Sequence, residues 1–201
     1  MEIIFWTFMG LIIYCYFVYP LLLRLVSKFS EQKIVKKYRE PSVSVVISIF
    51  NEEDVIEKKI NNLLSLDYPK NKMEILIGSD GSNDRTVSIV QKFAEQNVQV
   101  FDFKERRGKM MTINDLVARA KHEVIVFTDA RQMFETNALC ELTANLSDPS
   151  VGCVSGELIF SEKDNPTAKG INLYWNYEKF LRFEESKIHS MLGATGAIYA
   201  I

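Results

Sequence analysis

The sequence predicts an α/β protein with a doubly wound, mostly parallel sheet, preceded by one N-terminal transmembrane helix. Short runs rich in β-branched residues alternate with amphipathic helical segments, which predicts parallel strands joined by crossover helices. Residues 3–23 carry no charge, which predicts the transmembrane helix. No internal repeat or low-complexity linker interrupts this pattern.

The N-terminal apolar segment is long enough to cross a bilayer. At about 1.5 Å per residue, residues 3–23 match the roughly 30 Å hydrocarbon core of a membrane. A signal peptide is one alternative, but the apolar run is too long and no small-residue cleavage site follows it. A buried core helix is another, although a soluble helix of this length normally has a polar face. We therefore predict a membrane anchor at residues 1–23.

The segment after the anchor is basic. Residues 24–40 hold six basic and two acidic side chains, a net charge of +4, and we interpret them as a juxtamembrane linker that can also lie on anionic lipid. The positive-inside rule then predicts a single-pass protein of the cell (inner) membrane, whose remaining domain, residues 41–201, faces the cytoplasm. Three cysteines without metal-ligand spacing fit reduced thiols in that compartment.

The first half of the domain contains three predicted strands and three predicted helices. Residues 43–50 are β-branched and apolar, as in a buried parallel strand, and residues 54–66 have apolar side chains on one helical face. A strand at residues 73–79 leads through a turn into a helix at residues 84–96, which Ser82, Asn83 or Asp84 can cap. A third strand and a third helix follow, at residues 98–103 and 109–120.

The second half continues the alternation. Residues 124–128 form a short apolar strand, and a helix capped by Thr136 is predicted at residues 136–146. A fifth strand is predicted at residues 151–160. Residues 172–190 are predicted to form a long helix whose aromatic stripe we interpret as packing surface.

Three of the predicted strands lead directly into acidic or amide side chains. Asn51 and Glu52 follow the first strand, Asp80 follows the second, and Asp129 follows the fourth. In open α/β sheets, ligands bind in the crevice outside the carboxyl ends of the strands. We therefore expect these side chains to meet a ligand at one rim, most simply a metal ion or a phosphate held by a metal ion.

Basic residues follow the third strand, which completes the parts that a nucleotide diphosphate needs. Arg106, Arg107 and Lys109 can balance a diphosphate, together with a divalent ion held by a carboxylate, and stabilise it as a leaving group. A carboxylate such as Asp80 can accept the imide N–H of uracil. Each residue alone is a common turn or surface residue, so the inference rests on their combination. The net charge of −2 and the lack of a basic, aromatic-interleaved face exclude general nucleic-acid binding.

These motifs resemble those of a known family. Residues 43–201 are similar to the N-terminal, donor-binding part of a family-2, processive-type membrane glycosyltransferase, whose fold is GT-A (nucleotide-diphospho-sugar transferase-like). The residues that carry the resemblance are Val46 to Glu53, Gly78 to Asp84, Arg106 to Lys109 with Asn114, Phe127 to Ala130, and Gly193 to Ala197, which resembles the family's acceptor-side strand.

The resemblance implies an inverting sugar transfer from a nucleotide-sugar, commonly a UDP-sugar with Mg²⁺ or Mn²⁺, to a polysaccharide (glycan), glycolipid or other lipid-linked acceptor. It places Glu52 and Asp80 at the nucleoside, Lys109 beside the nucleotide, and Asp129 as first acid of an Asp-x-Asp metal motif. Arg131 stands where the second acid is expected, so metal binding rests on Asp129, and we hypothesise that Arg131 pairs with the diphosphate. The full expected donor set is Asn51, Glu52, Asp80, Arg107, Lys109, Asp129 and Arg131.

Two alternative functions remain open. The chain ends at Ile201, before the family's acceptor-side base, so we expect a truncated enzyme, and a non-catalytic nucleotide-sugar-binding fragment is the alternative. A signalling receiver domain shares the doubly wound layout. It would need a phosphorylatable Asp after the third strand, where Lys104, Glu105 and Arg106 stand instead.

Overall fold

The computed structural model of the protein describes residues 1–30, 33–159 and 168–201, with the backbone alone for residues 168–173. Two residues of the predicted linker, 31 and 32, and the last residue of the predicted fifth strand, 160, lie outside the described residues. The chain divides into two compact units. The first is Met1–Lys33 with Ile159–Gly193, and the second is Ile34–Leu158 with Ala194–Ile201.

Helices and strands alternate through the second unit. In chain order the described elements are α1 (Glu2–Ile13), α2 (Tyr19–Ser30), β1 (Val43–Ile49), α3 (Ile56–Leu64), β2 (Met73–Asp80), α4 (Thr86–Gln91), β3 (Val98–Phe103), α5 (Lys109–Val117), β4 (Val124–Thr128), α6 (Ala138–Leu146), β5 (Val154–Ser155), α7 (Ala168–Ile188) and β6 (Ile198–Ala200).

The first unit is built on one long helix, Glu2–Ser30, which can cross a membrane by length and composition. A π-helical turn at Tyr14–Val18 separates α1 from α2. Pro20 lies just after it, and proline lacks the N–H that would continue the α-helical ladder, which accounts for the local change in winding. The helix continues beyond residue 23, where the anchor was predicted to end.

Helix α7 packs along this N-terminal helix within the first unit. The Tyr177 hydroxyl donates to the carbonyl of Cys15 at 2.9 Å, and the Tyr19 hydroxyl donates to Oε1 of Glu185 at 3.0 Å. The hydroxyl of the buried Ser27 donates to the carboxylate of Glu184, which is also buried. The aromatic stripe of α7 therefore supplies packing and hydrogen bonds.

The second unit contains the sheet. In the described part of the chain six strands form it, in the order β3-β2-β1-β4-β6-β5. The four strands β3, β2, β1 and β4 are parallel, and β6 runs antiparallel to both β4 and β5. The predicted mostly parallel, doubly wound sheet is therefore confirmed.

Helices cover both faces of this sheet, which explains why its central strands β1 and β2 are buried at nearly every position. On one face, side chains such as Ile47 pack with buried residues of α3, α4 and α6, including Ile60 and Leu139. On the other face, Val46 packs with Leu116 of α5. Successive residues of a strand point to opposite faces, so a strand buried on both sides is apolar at consecutive positions.

Several predicted boundaries differ from the structure. The predicted helix at residues 84–96 is α4 followed by a 3₁₀ turn at Ala94–Gln96, because Asn97 adopts a left-handed conformation that ends it. Helix α6 begins at Ala138 without a side-chain cap, so the predicted Thr136 cap was wrong. Asp84 does serve the start of α4, since its Oδ1 accepts the N–H of Thr86 at 2.9 Å.

The fifth strand is much shorter than predicted. Of residues 151–159 only Val154–Ser155 pair as a strand, and their partner β6 has three residues. Because β5 is bound on one side by a partner of this length, the remaining predicted residues have no neighbouring strand to extend the ladder in the described structure.

The basic linker is attached to the end of α6. The N–H of Val35 donates to Oδ2 of Asp148 at 2.8 Å, and the N–H of Lys37 donates to the Ser147 hydroxyl at 2.9 Å. The N–H of Val35 and two donors of Ser150 stabilise the ionised carboxylate and lower the pKa of Asp148 to about 2. Residues 34–42 therefore lie on the second unit without regular secondary structure.

Candidate functional site

The carboxyl ends of β2, β1 and β4 lie side by side because these strands are neighbours in the sheet. Asn51 and Glu52 lie in the loop after β1, and Asp129 and Arg131 lie in the loop after β4. Asp80 is the last residue of β2. The structure therefore brings the sequence-predicted site residues to one rim, and hydrogen bonds between the loops show which of them meet.

The loops after β1 and β2 are joined by reciprocal hydrogen bonds. The N–H of Asn51 donates to the Ser82 hydroxyl at 3.1 Å, and the side-chain oxygen of Asn51 accepts the N–H of Asn83 at 3.0 Å. Asn51 has a φ of 51°, a left-handed conformation that asparagine tolerates better than most residues. Its role in this structure is to hold the two loops together.

Asp80 is buried beneath the loop between β3 and α5. Its Oδ1 accepts the N–H of Arg107 at 2.7 Å, and its Oδ2 accepts the N–H of Gly108 at 2.9 Å. The Thr112 hydroxyl is a further donor, at 3.3 Å. The carboxylate lies at the N-terminus of α5, where free N–H groups and the helix dipole favour negative charge. Asp80 thus fixes the loop from which Lys109 projects.

Lys109 and Asp129 form the first ion pair of the site. The Nζ atom of Lys109, the first residue of α5, lies 2.5 Å from Oδ1 of Asp129. The side chains are 51% and 36% exposed, so solvent screens the attraction, and pairs of this kind contribute about 0–1 kcal/mol. An anionic ligand can therefore compete for Lys109 at little cost.

Glu52 and Arg131 form the second ion pair. The Nε atom of Arg131 lies 3.0 Å from Oε1 and 3.1 Å from Oε2 of Glu52. Arg131 is 72% exposed while Glu52 is 18% exposed, so the carboxylate holds a side chain that extends into solvent. This pair links the loop after β1 to the loop after β4.

The arginines between β3 and α5 are held by aromatic and acidic neighbours. The guanidinium of Arg106 lies 4.0 Å from the ring centre of Phe50. The guanidinium of Arg107 lies 4.3 Å from the ring centre of Phe103, and its Nη2 is 2.5 Å from Oδ2 of Asp115. Of the basic residues in the expected donor set, Arg107 is thus the one whose side chain pairs with a residue outside the set.

Sequence reasoning missed Lys59, the largest fully buried side chain of the described structure. It belongs to α3 and donates to the Thr128 hydroxyl at 3.0 Å and to the carbonyl of Gln132. Burial lowers the pKa of its ammonium to about 7, and the charge of Asp129 opposes this shift. The available signal was its place in α3, one turn from Ile56 and Leu63 on the buried face.

One carboxylate of this rim, that of Asp129, could ligate a divalent metal ion. Among the described residues no group of three or more His, Cys, Asp or Glu side chains can hold a metal. Asp129 contributes a carboxylate whose Oδ1 faces Lys109, while Glu52 is paired with Arg131. Mg²⁺ is commonly held by one or two carboxylates together with substrate phosphates and water, so this rim fits an ion that arrives with a diphosphate.

The chain is similar to several sugar-transferring proteins. It is 33% identical over 116 residues to poly-beta-1,6-N-acetyl-D-glucosamine synthase of Staphylococcus aureus strain MSSA476, covering 57% of this chain and 28% of that protein. It is 33% identical over 141 residues to the probable glycosyltransferase YdaM of Bacillus subtilis strain 168, covering 63% of this chain and 33% of that protein. The chain thus spans about a third of the length of these relatives.

Solved structures share the fold. The mannosyltransferase PcManGT from Pyrobaculum calidifontis, in complex with GDP-Man and Mn²⁺, matches 94% of this chain and 53% of its own, with a TM-score of 0.76 and 27% identity. S. aureus TarS 1–349 in complex with UDP-GlcNAc matches 60% of this chain and 37% of its own, with a TM-score of 0.53 and 23% identity.

A profile of the family named Glycosyl transferase family 2 matches residues 44–199, which include β1 to β6 almost completely and every residue of the expected donor set. This match extends over more than half of the chain and agrees with the GT-A-like fold of the solved neighbours. The chain therefore belongs to glycosyl transferase family 2.

Proposed function

We propose that this chain is the donor-binding part of an inverting glycosyltransferase, which moves a sugar from a UDP-sugar to a polysaccharide or lipid-linked acceptor at the cytoplasmic face of a membrane. The observation that carries the proposal is the arrangement of two exposed ion pairs, Lys109–Asp129 and Glu52–Arg131, at the ends of neighbouring parallel strands. The similarity to a poly-N-acetylglucosamine synthase and to structures holding GDP-Man and UDP-GlcNAc supports a nucleotide-sugar donor.

Arg131 and Lys109 are the residues proposed to bind the donor diphosphate. Glu52 engages Arg131 through Nε, and within the described residues the terminal Nη1 and Nη2 groups of Arg131 make no hydrogen bond to protein. Those two groups can donate to phosphate oxygens while Glu52 keeps the side chain in place. Lys109 can transfer from Asp129 to a phosphate because its present ion pair is exposed and weak.

Glu52 and Asp80 are proposed to lie beside the nucleoside. An ionised carboxylate offers about four acceptor sites, so Asp80 can bind an imide N–H in addition to the two main-chain N–H groups that it already accepts. Asn51 and Arg107 are proposed to contribute by positioning the surrounding loops, since their side chains already bind Asn83 and Asp115.

Asp129 is the residue proposed to hold Mg²⁺ or Mn²⁺. A bound divalent ion would neutralise charge that develops on the departing diphosphate. This chain supplies one carboxylate to it, and the cations of Arg131 and Lys109 supply the remaining positive charge from the protein side. The substitution of Arg131 for the second acid therefore exchanges a metal ligand for a fixed cation.

The proposed transfer is a single displacement. A hydroxyl oxygen of the acceptor forms a bond to the anomeric carbon while the bond from that carbon to the diphosphate oxygen breaks. The nucleoside diphosphate leaves with the electron pair, and the hydroxyl proton passes to a base that we assign to no residue of this chain. Positive side chains placed at the leaving group act where negative charge develops, which is the most effective place for them.

The helix Glu2–Ser30 is proposed to anchor this site to a membrane. Its apolar length suits a bilayer crossing, and residues 24–40, which begin within its C-terminal part, carry the net charge of +4 that favours the cytoplasmic side. A polysaccharide or lipid-linked acceptor at the same membrane would then be within reach of the site.

Calorimetric titration of UDP and GDP into the 201-residue chain in detergent micelles, with and without Mn²⁺, tests the proposed function. We expect UDP to bind more tightly than GDP, Mn²⁺ to strengthen binding, and Asp129→Asn to abolish the effect of Mn²⁺. Asp102→Asn is the matched control, because Asp102 of β3 forms an ion pair with the exposed Lys104, two residues further along the chain. Preference for GDP would overturn the uridine assignment, and absence of binding by the folded chain would overturn the function.

A further inference from the structure

Lys59 is a charged residue at a position where the fold calls for an apolar one. Helix α3 buries Ile56, Lys59, Ile60 and Leu63 on one face, and the solvent exposure of Lys59 is 0%. Within the described residues Lys59 forms no ion pair with a carboxylate. Burying an ammonium without a carboxylate partner costs several kcal/mol, roughly, unless its protons are all accommodated. A methionine would fill this space without that cost.

The contacts of Lys59 lie at both ends of one short turn. Its Nζ donates a hydrogen bond of 3.0 Å to the hydroxyl of Thr128, the last residue of β4. It also donates to the carbonyl of Gln132. The third side of the ammonium faces the ring of Phe134, whose centre is 4.1 Å away. The turn between Thr128 and Gln132 contains Asp129 and Arg131, so a single buried ammonium holds both ends of the segment that carries these residues.

Thr128 extends this connection to the neighbouring strand. Its hydroxyl accepts from Lys59 and donates to the carbonyl of Ala197 at 3.0 Å, immediately before β6. The hydroxyl can do both because one oxygen has one proton and two lone pairs. Lys59 therefore fixes the turn after β4 relative to both α3 and the start of β6.

The same ammonium places positive charge behind the rim. The charge of Asp129 acts on Lys59 at a distance, without a direct hydrogen bond between them. In a buried setting this attraction is screened less than that of the exposed pairs at the surface. Lys59 thus attracts Asp129, and any anion beside it, from the protein side.

We propose that Lys59 is a positioning residue of the donor site, which holds the Thr128–Gln132 turn so that Asp129 and Arg131 face the diphosphate of the donor. This inference rests on the proposed function, and it adds to that function a residue of α3 that reaches the site from beneath. It distinguishes Lys59 from a core residue that only fills space, because the turn depends on its hydrogen bonds.

The test compares Lys59→Met with Lys58→Met in the 201-residue chain. Lys58 is the exposed neighbour on the same helix, so its substitution removes an equal charge without touching the turn. We expect Lys59→Met to weaken UDP binding by about tenfold or more, which corresponds to loss of a hydrogen bond from a charged donor. UMP binding should fall by less than about threefold, because UMP lacks one of the two phosphates that the turn is proposed to face. Lys58→Met should bind both as the wild type does.

Hydrogen exchange supplies a readout that does not need a ligand. The amides of residues 129–132 should exchange faster in Lys59→Met, while those of β1 and β2 stay protected. Thr128→Val, which removes the hydroxyl and keeps the shape, should produce a smaller change in the same direction. It also provides the test if Lys59→Met fails to fold.

Each outcome separates the inference from the proposed function. If folded Lys59→Met bound UDP and exchanged its amides as the wild type does, the positioning role alone would be overturned. If only Thr128→Val folds, the same result in that variant would overturn it. An equal loss of UDP and UMP affinity would also overturn it, since that would indicate general loosening. A wild-type chain that binds neither UDP nor GDP would overturn the proposed function instead.

Discussion

The guanidinium of Arg131 is held by Glu52 through its Nε atom, 3.0 Å from Oε1, across the gap between the loops after β4 and β1. An arginine held through Nε keeps its two terminal nitrogen groups available to one ligand, and guanidinium groups commonly bind phosphate through two such donors. The side chain of Arg131, which stands where the family resemblance implies a second acid, is therefore oriented by Glu52. We propose that this orientation directs Arg131 at the diphosphate of the donor.

Replacing Arg131 by alanine should weaken UDP binding by at least about tenfold, even in saturating Mn²⁺, because the metal cannot replace two lost charged hydrogen bonds. Calorimetry on the full chain measures the effect. Arg85→Ala is the matched control, since Arg85 makes the same kind of exposed ion pair with Glu53 in the neighbouring loop. Unchanged affinity of Arg131→Ala would show that Arg131 serves only to bind Glu52.

Gly108 should tolerate no side chain, for a reason of backbone conformation rather than space. Its φ of 94° and ψ of 153° fall in a region used almost only by glycine, while a Cβ atom there would meet nothing within 4 Å. Gly108→Ala should destabilise the loop before α5 by about 1–3 kcal/mol. Gly152→Ala, equally free of contacts and without a positive φ, should be close to neutral.

Hydrogen exchange of the amides of residues 106–112 measures this local stability. Faster exchange confined to the Gly108 variant is the expected result. Equal protection in the two variants would mean that the loop can adopt another conformation, and that the contact of Asp80 with the N–H of Gly108 is dispensable.

The fold could be predicted from the sequence because the patterns that define its strands and helices are local. β-branched runs such as Val43–Ile49 and the breaks between them define the parallel strands, and these strands in turn bring Asp80 and Asp129 to one rim. The short β5 was not predicted at its true length, because an edge strand depends on a partner, β6, that lies more than forty residues away in the chain. The ends of helices depend on similar non-local contacts.

The site could be predicted from the sequence only in part, since the pairing of its residues depends on the directions of their side chains. The sequence indicated that Lys109, Asp129, Glu52 and Arg131 belong together, but it could not indicate that they form two separate ion pairs. Lys59 escaped notice because a lysine next to another lysine on an amphipathic helix is normally solvent-exposed. A lysine in register with Ile56 and Leu63 is the signal to look for.

Asp80→Asn should loosen the loop before α5, which carries Arg107 and Gly108, by removing a hydrogen-bond acceptor. Asp80 accepts main-chain N–H groups at both oxygens, whereas asparagine would direct an NH₂ group at one of these donors and leave it unsatisfied. An unsatisfied buried donor costs about 1–3 kcal/mol, so protection of the Arg107 and Gly108 amides should fall by one to two orders of magnitude, approximately. Asp102→Asn on β3, an exposed partner of Lys104, should leave the loop unchanged. If Asp80→Asn retained full protection, Asp80 would not be holding this loop.

The buried ammonium of Lys59 also predicts a pH dependence of stability. Burial lowers its pKa from 10.5 to about 7, so between these values the unfolded chain binds more protons at this site than the folded chain does. Stability must therefore rise with pH across this window, by at most about 1.4 kcal/mol per pH unit. Asp129 works against the shift, and its contribution is already contained in the lowered value.

Urea unfolding of the wild type and of Lys59→Met, followed by circular dichroism between pH 7 and pH 9, isolates the contribution of Lys59 to the pH dependence of stability. The wild type should gain stability relative to Lys59→Met as the pH rises, with Lys58→Met following the wild type. A constant difference between wild type and Lys59→Met would mean that Lys59 keeps an ordinary pKa, and that a carboxylate such as Asp129 compensates its burial fully.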